Sequence, residues 1–176
     1  MQLTFKNMII RNAVADDAVQ LEKWWNDGTV MAHAGFPHGL GITAGEIAAS
    51  LEKDTDYTYR RLIIEVNNIP AGEMNYRNKG DNTAEIGIKI CDFSLHDKGL
   101  GKIALSMLIS ALFDTMGFRR IILDTNLNNK RAQHVYEQIG FRKLRVRENS
   151  WRNQLGELQS SVDYELYPED FINCAK

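Results

Sequence analysis

Apolar and polar positions follow two rhythms along this chain, and the switches between them mark its elements. Met8-Ile9-Ile10-Arg11 is a branched run that predicts a short first strand. Asp16 and Asp17 stand where a helix cap is expected, and Val19, Leu21, Trp24 and Trp25 follow as helical apolar positions. Trp24 and Trp25 are adjacent, so they cannot both face one way, and at least one is expected in the core. The breakers in Gly35-Phe36-Pro37-His38-Gly39-Leu40-Gly41 predict a loop. Thr43-Ala44-Gly45-Glu46 reads as a capping box, in which the Thr43 hydroxyl and the Glu46 carboxylate each serve a free amide; it opens a helix through Leu51.

Three strands follow as a meander: Leu62 to Val66, Met74 to Arg77 and Ala84 to Ile90, separated by the turn residues Asn67-Asn68 and Gly80-Asp81-Asn82. The last alternates with period two. Ala84, Ile86, Ile88 and Ile90 share one face, and Glu85, Gly87 and Lys89 share the other. After a glycine-containing loop, His96 to Gly101, the period turns helical through Leu105, Leu108, Ile109, Leu112 and Met116, and Gly117 is placed to end the helix. Ile121-Ile122-Leu123 is wholly apolar, as in a buried strand. Asn128-Asn129 caps a helix that carries Ala132, Val135, Tyr136 and Ile139 and stops at Gly140. Phe141 begins another strand, residues 149–156 read as a loop, and Val162 to Leu166 form the last strand. The order predicts a mixed α/β (α+β) layout with an antiparallel front and a crossover at the glycine loop. With no repeat, low-complexity tract or linker, residues 1–176 are expected to form one domain.

Composition narrows the class. The 176 residues are 44% hydrophobic and 25% charged with a formal net charge of -2, as in ordinary globular proteins. That balance supplies no broad basic surface, so no nucleic-acid partner is expected. No stretch is long and apolar enough for a membrane span, and Met1 to Arg11 does not read as a signal peptide. Cys91 and Cys174 lie far apart with no metal-ligand spacing; free thiols in a cytoplasmic protein without a metal are expected.

Two constellations carry chemistry. The first is a strand, then His96-Asp97-Lys98-Gly99-Leu100-Gly101-Lys102, then a helix. A helix start exposes unpartnered amides and the positive end of the peptide dipoles. Glycines there let a diphosphate reach the backbone, and Lys98 and Lys102 add charge. The Gly-Lys-Ser/Thr ending of a P-loop is missing, and so is the third glycine of a dinucleotide fingerprint. Taken alone, the pattern is equally a tight turn. The second constellation is Asn129-Lys130-Arg131-Ala132 followed by Val135-Tyr136-Glu137-Gln138-Ile139-Gly140-Phe141. Residue by residue it has a structural reading: Asn caps, Ala packs, Tyr stacks, Gly stops and Phe anchors.

In this order and distance the two constellations resemble the GNAT superfamily of N-acetyltransferases. Its loop reads Gln or Arg, two residues, Gly, one residue, Gly or Ala. Its later segment reads Asn, two residues, Ala or Ser, then Tyr-Glu, two residues, Gly-Phe. The likeness runs from Ala84 to Phe141, with one departure: His96 stands where Gln or Arg is usual, and an imidazole cannot reproduce a guanidinium fork. The N-terminal layout and the loop at Trp151 look closest to the branch that acetylates ribosomal-protein N-termini, spermidine and aminoglycosides.

The resemblance implies a mostly antiparallel, twisted sheet of about seven strands with about four helices. The Ala84–Ile90 strand and the strand at Ile121 would splay apart and hold acetyl-CoA as co-substrate. Backbone groups of Ile88, Lys89 and Ile90 would meet the pantetheine arm, as would Asn129. His96, Lys98, Gly99, Leu100, Gly101 and Lys102 would surround the diphosphate. Tyr136 is the matched general acid: a phenol with a pKa of about 10 stays protonated at neutral pH and can protonate the leaving thiolate. An amide near Ile88 would polarise the thioester carbonyl. For the base, Glu85 is the first choice, Glu73 the second, and His33 and His38 lie near the acceptor loop. Trp24, Trp25, Phe36 and Trp151 are candidates for the acceptor wall. The alternating run Arg142 to Arg147 is expected to be a half-exposed strand, or else a basic rim. The implied acceptor is a small amine or a peptide N-terminus, and the implied assembly a homodimer. The alternative is a GNAT-fold module that binds acyl-CoA or a partner without catalysis.

Overall fold

The branched and alternating runs pair into a single sheet. In the computed structural model, which describes residues 1–176, its eight strands are β1 (Gln2–Phe5), β2 (Met8–Asn12), β3 (Tyr59–Val66), β4 (Ile69–Asn78), β5 (Thr83–Ile90), β6 (Arg120–Asn126), β7 (Arg142–Arg152) and β8 (Leu158–Leu166). They lie in the order β1-β2-β3-β4-β5-β6-β8-β7. Every neighbouring pair is antiparallel except β5 with β6. The expected mixed α/β architecture is present with one strand more than the resemblance implies. The addition is β1, which folds back on β2 through a turn with Lys6 at φ 52°. Only Leu3 and Phe5 turn toward the core from this strand, too few positions to show a period. β7 also runs further than its sequence suggests. Asn149 to Arg152 are strand rather than loop, and the turn is confined to residues 153–157, where the Asn153 carboxamide accepts from the Leu155 and Glu157 amides.

Five helices flank the sheet: α1 (Ala18–Trp25), α2 (Gly28–Met31), α3 (Ala44–Leu51), α4 (Leu100–Ser110) and α5 (Lys130–Ile139). The capping box at α3 forms as read, with Thr43 Oγ1 accepting from the Glu46 amide and Glu46 accepting from the Thr43 amide. α5 also has its expected ends: Asn129 Oδ1 accepts from the Ala132 amide, and Gly140 closes the helix at φ 105°. The first helix differs. Asp17 does not cap α1; its carboxylate takes both terminal nitrogens of Arg11 at 2.8 Å and the Val14 amide at 2.8 Å. Burial alone would raise this carboxyl, but Arg11 and the Val14 amide outweigh it and hold Asp17 below the ordinary carboxylate range.

One face of the sheet packs on α4 and α5 through Ile10, Leu62, Ile64, Met74, Leu105, Leu108 and Ile139, all buried. The opposite face carries a smaller cluster, with Leu21 and Trp24 of α1, Ile47 and Leu51 of α3, and Ile63 and Cys91. The two layers put α4 and α5 on one side of the β5–β6 junction and α1 to α3 on the other.

Candidate active site

The site originates in a failure of pairing. β5 and β6 are hydrogen-bonded neighbours only at Thr83↔Arg120, Ala84↔Ile121 and Glu85↔Ile122. Beyond Glu85, β5 stays with β4 while β6 stays with β8, so the two strands diverge. The split edge of β5 keeps backbone groups without a strand partner, and such groups need another acceptor or donor. A groove of about 1130 Å³ opens there, lined by Gly87 to Ile90 on one lip and Leu123 to Asn126 on the other.

At one end of the groove lies the start of α4. Gly99 adopts φ 74°, a left-handed conformation that favours glycine, and turns the chain into the helix. The first amides of α4 have no intrahelical acceptor. Gly101 is different. A Cβ placed on it would meet only Ile90 Cγ1, at 3.9 Å, so the protein's own packing does not require a glycine there. A missing side chain that the fold does not need leaves room for a ligand. His96, Gly99, Leu100, Gly101 and Lys102 line this end, together with Asn129.

Tyr136 closes the middle. It faces inward from α5, is 6% exposed, and meets Phe141 and Tyr164 edge-on at 5.8 and 5.7 Å. Burial, and then the charge of Asp124, push its phenol well above the usual tyrosine range, with no hydrogen bond contributing. Tyr136 is part of the groove lining, and its phenol holds its proton firmly.

The other end is built by the α1–α3 layer. Trp24 is buried in the core, and Trp25 turns toward the sheet, where its indole N–H lies 2.9 Å from both oxygens of Glu73. Lys89, the cross-strand partner of Glu73, donates to the same carboxylate at 2.9 Å. Glu73, Lys89, Thr29, Val30, His33 and Trp151 form this wall, and Trp25 stands behind Glu73, off the groove. Trp151 donates to Ser161 Oγ at 3.0 Å and lies against Gly35 so closely that a side chain there would strike its ring. Gln154 clasps the same two loops, with its amide on the Gly35 carbonyl and its carboxamide on Gly39 and His38.

Of the residues singled out from the sequence, Ile88, Lys89, Ile90, His96, Gly99, Leu100, Gly101, Lys102, Asn129 and Tyr136 meet in this one groove, and Glu73 and His33 join them. Glu85 does not. Its side chain has the anticipated parity, but it stands where β5 and β6 are still paired, and its carboxylate meets Lys79 at 3.4 Å on the outside. Lys98, His38 and Phe36 also lie off the groove wall. The basic run of β7 is spent on local acids: Arg142 on Glu165, Lys143 on Glu137, and Arg145 and Arg147 on Asp163. Sequence reasoning missed Asp124 on the wall; Arg147, from the run read as a half-exposed strand or else a basic rim, and Arg131, part of the second constellation without a role of its own, stand there too. Asp124 bonds Arg147 at 2.9 Å; burial raises its carboxyl above the carboxylate range despite that partner. The chain held one usable signal, since Asp124 directly follows the apolar run of β6, at the lip of the split.

Residues 7–142 match the family model described as an acetyltransferase (GNAT) domain. The chain belongs to the GNAT acetyltransferase family. Solved structures agree with the GNAT fold. A spermidine N-acetyltransferase from Vibrio cholerae, solved with CoA and spermine, superposes with a TM-score of 0.82 at 18% identity, covering 93% of this chain and 97% of that one. A ribosomal-protein-S5-alanine acetyltransferase from Vibrio fischeri gives 0.81 at 15% identity over 98% and 99%. A GNAT-family acetyltransferase from Bacillus anthracis gives 0.79 at 22% identity over 96% and 99%. At these identities the likeness is one of fold. A search of curated proteins gave no match.

Proposed function

We propose that residues 1–176 act as one domain that transfers the acetyl group of acetyl-CoA to a primary amine, on a small molecule or a peptide N-terminus. The observation that carries this reading is one groove lined together by the open start of α4, the unpaired edge of β5 and Tyr136. The α4 amides bind the coenzyme's diphosphate at the ledge over Gly101. The pantetheine arm lies beside Ile88 to Ile90 and takes up hydrogen bonding that β6 leaves undone there, apart from the Ile90 carbonyl, which His96 already engages. The thioester then reaches Tyr136.

The amine approaches from the wall of Thr29, His33 and Glu73, with Trp25 holding Glu73 from behind. With Glu85 outside the groove, Glu73 is the carboxylate placed to accept the ammonium proton, directly or through water. The free amine attacks the thioester carbonyl, whose oxygen is stabilised by an amide of the β5 edge. The C–N bond forms and the C–S bond breaks. As the C–S bond breaks, the nitrogen sheds its surplus proton to water and becomes the amide; Tyr136 gives its proton to the departing sulfur, yielding CoA thiol, and regains one from solvent, so the two transfers balance. The two cysteines are free, and burial followed by the charge of Glu73 pushes the Cys91 thiol up, so Cys91 stays an unreactive thiol. These features suit the cytoplasmic address of the same reading.

The deciding experiment follows thiol release from acetyl-CoA over polyamines, aminoglycosides, amino compounds and peptides with free N-termini. Acetyl-dependent release on at least one amine is expected. Binding of acetyl-CoA with no turnover across the panel would instead make the chain a silent coenzyme-binding module. The ledge has its own test. Gly101→Val should fold as the parent does and bind CoA at least about tenfold more weakly, because the branched side chain fills space meant for phosphate oxygens. Unchanged affinity by calorimetry would remove the α4 ledge from the site.

A further inference from the structure

His96 occupies the loop position at which the family pattern carries Gln or Arg, yet its ring is fully engaged inside the protein. Nε2 lies 2.8 Å from the Ile90 carbonyl, and Nδ1 lies 2.7 Å from an Arg131 terminal nitrogen. The partners fix the tautomer. A carbonyl only accepts, so Nε2 carries the hydrogen; a guanidinium only donates, so Nδ1 offers its lone pair. The ring bridges these two groups only while it is neutral. Phe93 packs edge-on against it with ring centroids 4.7 Å apart. Arg131, near the start of α5, is held a second time by Asp97, with Nε at 3.3 Å from the carboxylate. Those contacts engage Nε and one terminal nitrogen, leaving the other side of the fork free. The side chain is half exposed and lines the groove beside His96, Gly99 and Gly101.

We infer that His96 is a positioning residue that holds Arg131 over the α4 ledge, and that Arg131 is the side chain gripping a phosphate of the coenzyme. The inference rests on the acetyl-CoA reading above. It explains how the site manages without an arginine at position 96: the fork arrives from α5, and the imidazole aims it. It also makes coenzyme binding sensitive to acid. Protonating His96 removes the acceptor for Arg131 and sets imidazolium beside guanidinium, so Arg131 swings away and affinity falls as pH falls. The other charges around the ring are Asp97 and Lys98 of its own loop and Asp92 at the turn behind β5. The two carboxylates temper the repulsion, but neither restores the lost hydrogen bond.

Calorimetry on the intact chain tests this with CoA, dephospho-CoA and pantetheine as probes. Arg131→Ala is expected to weaken CoA about tenfold or more and to leave pantetheine, which has no phosphate, unaffected. A loss that persists on dephospho-CoA assigns the diphosphate; one that vanishes assigns the 3′-phosphate. Arg131→Lys should recover only part of the loss, because an ammonium lacks the fork. His96→Gln keeps a donor for Ile90 and an acceptor for Arg131 without a titrating ring. It should match the parent's CoA affinity at neutral pH and decline less than the parent on acidification. His96→Leu should be weak throughout. Comparing variants on one ligand cancels the ligand's own titration. Parental CoA affinity in Arg131→Ala, alongside a weakened Gly101→Val, would overturn this inference and leave the acetyl-CoA reading standing, as would an undiminished pH slope in His96→Gln. A parent chain that binds no CoA would end both.

Discussion

Tyr136→Phe is expected to lower turnover by about two to four orders of magnitude while leaving CoA affinity unchanged. In the proposed mechanism the hydroxyl supplies a proton to sulfur only as the C–S bond breaks, so its loss falls on the transition state and not on the bound ground state. Two features sharpen the test. The phenol contributes no hydrogen bond inside the protein, so phenylalanine should fill the site between Phe141 and Tyr164 with little change in stability. A core tyrosine with a purely structural role would show neither a kinetic nor a thermal effect. Burial also keeps the phenol above its ordinary value, so the acid form persists through neutral pH, and any alkaline loss due to Tyr136 begins only above about pH 10. Rates under saturating acetyl-CoA, together with thermal unfolding of both proteins, decide the matter. Equal turnover in variant and parent would show that the proton comes from elsewhere.

The features legible in the sequence are those that local chemistry enforces. The α5 segment is one example: an Asn cap, apolar positions at helical spacing and a terminal glycine each satisfy a backbone requirement within a few residues of themselves. The capping box of α3 and the alternation of β5 were readable for the same reason. Glu85 shows where such reading stops. Period two assigns its face correctly, but whether that face borders the groove depends on where β5 parts from β6. That point is set by the pairing of β5 with β4 and β6 with β8, strands far apart in sequence. Glu73 was only a second choice because nothing local reveals that Trp25 and Lys89 converge on it from two other elements. Arg131 hid inside a recognisable motif. Its neighbours Asn129 and Ala132 account for the helix start, and its role depends on a histidine brought close only by the fold. The missed strand β1 reflects a different limit, since two inward side chains carry too little periodic signal.

The largest stability effect is expected at a charge pair that no pattern announces. Asp54, just past α3, is 2% exposed at its side chain and bonds Arg61 of β3 at 2.6 Å; Arg61 is 11% exposed. Asp54 also accepts the Arg61 amide at 2.9 Å, and Ser50 Oγ takes another guanidinium nitrogen at 2.7 Å. The Arg61 carbonyl in turn receives the Ala13 amide at the entry to α1. This pair therefore ties the α1–α3 layer to the sheet, and that layer carries Trp25, which holds Glu73, and the Thr29–His33 side of the groove proposed to receive the amine. Asp54→Ala leaves a guanidinium buried without its counter-charge, and is expected to cost about 3–5 kcal/mol in urea unfolding. A solvent-exposed pair would cost about 1 kcal/mol or less, so a loss that small would show that water already shields Arg61. The double variant Asp54→Leu with Arg61→Met separates charge from packing. If the penalty is mainly the stranded charge, removing both ions should recover most of the loss, because the desolvation of each is relieved together. The acceptor wall supplies a functional readout of the same event. Where the layer loosens, KM for the amine should rise before CoA affinity changes, since the coenzyme end rests on α4 and α5 and the larger core.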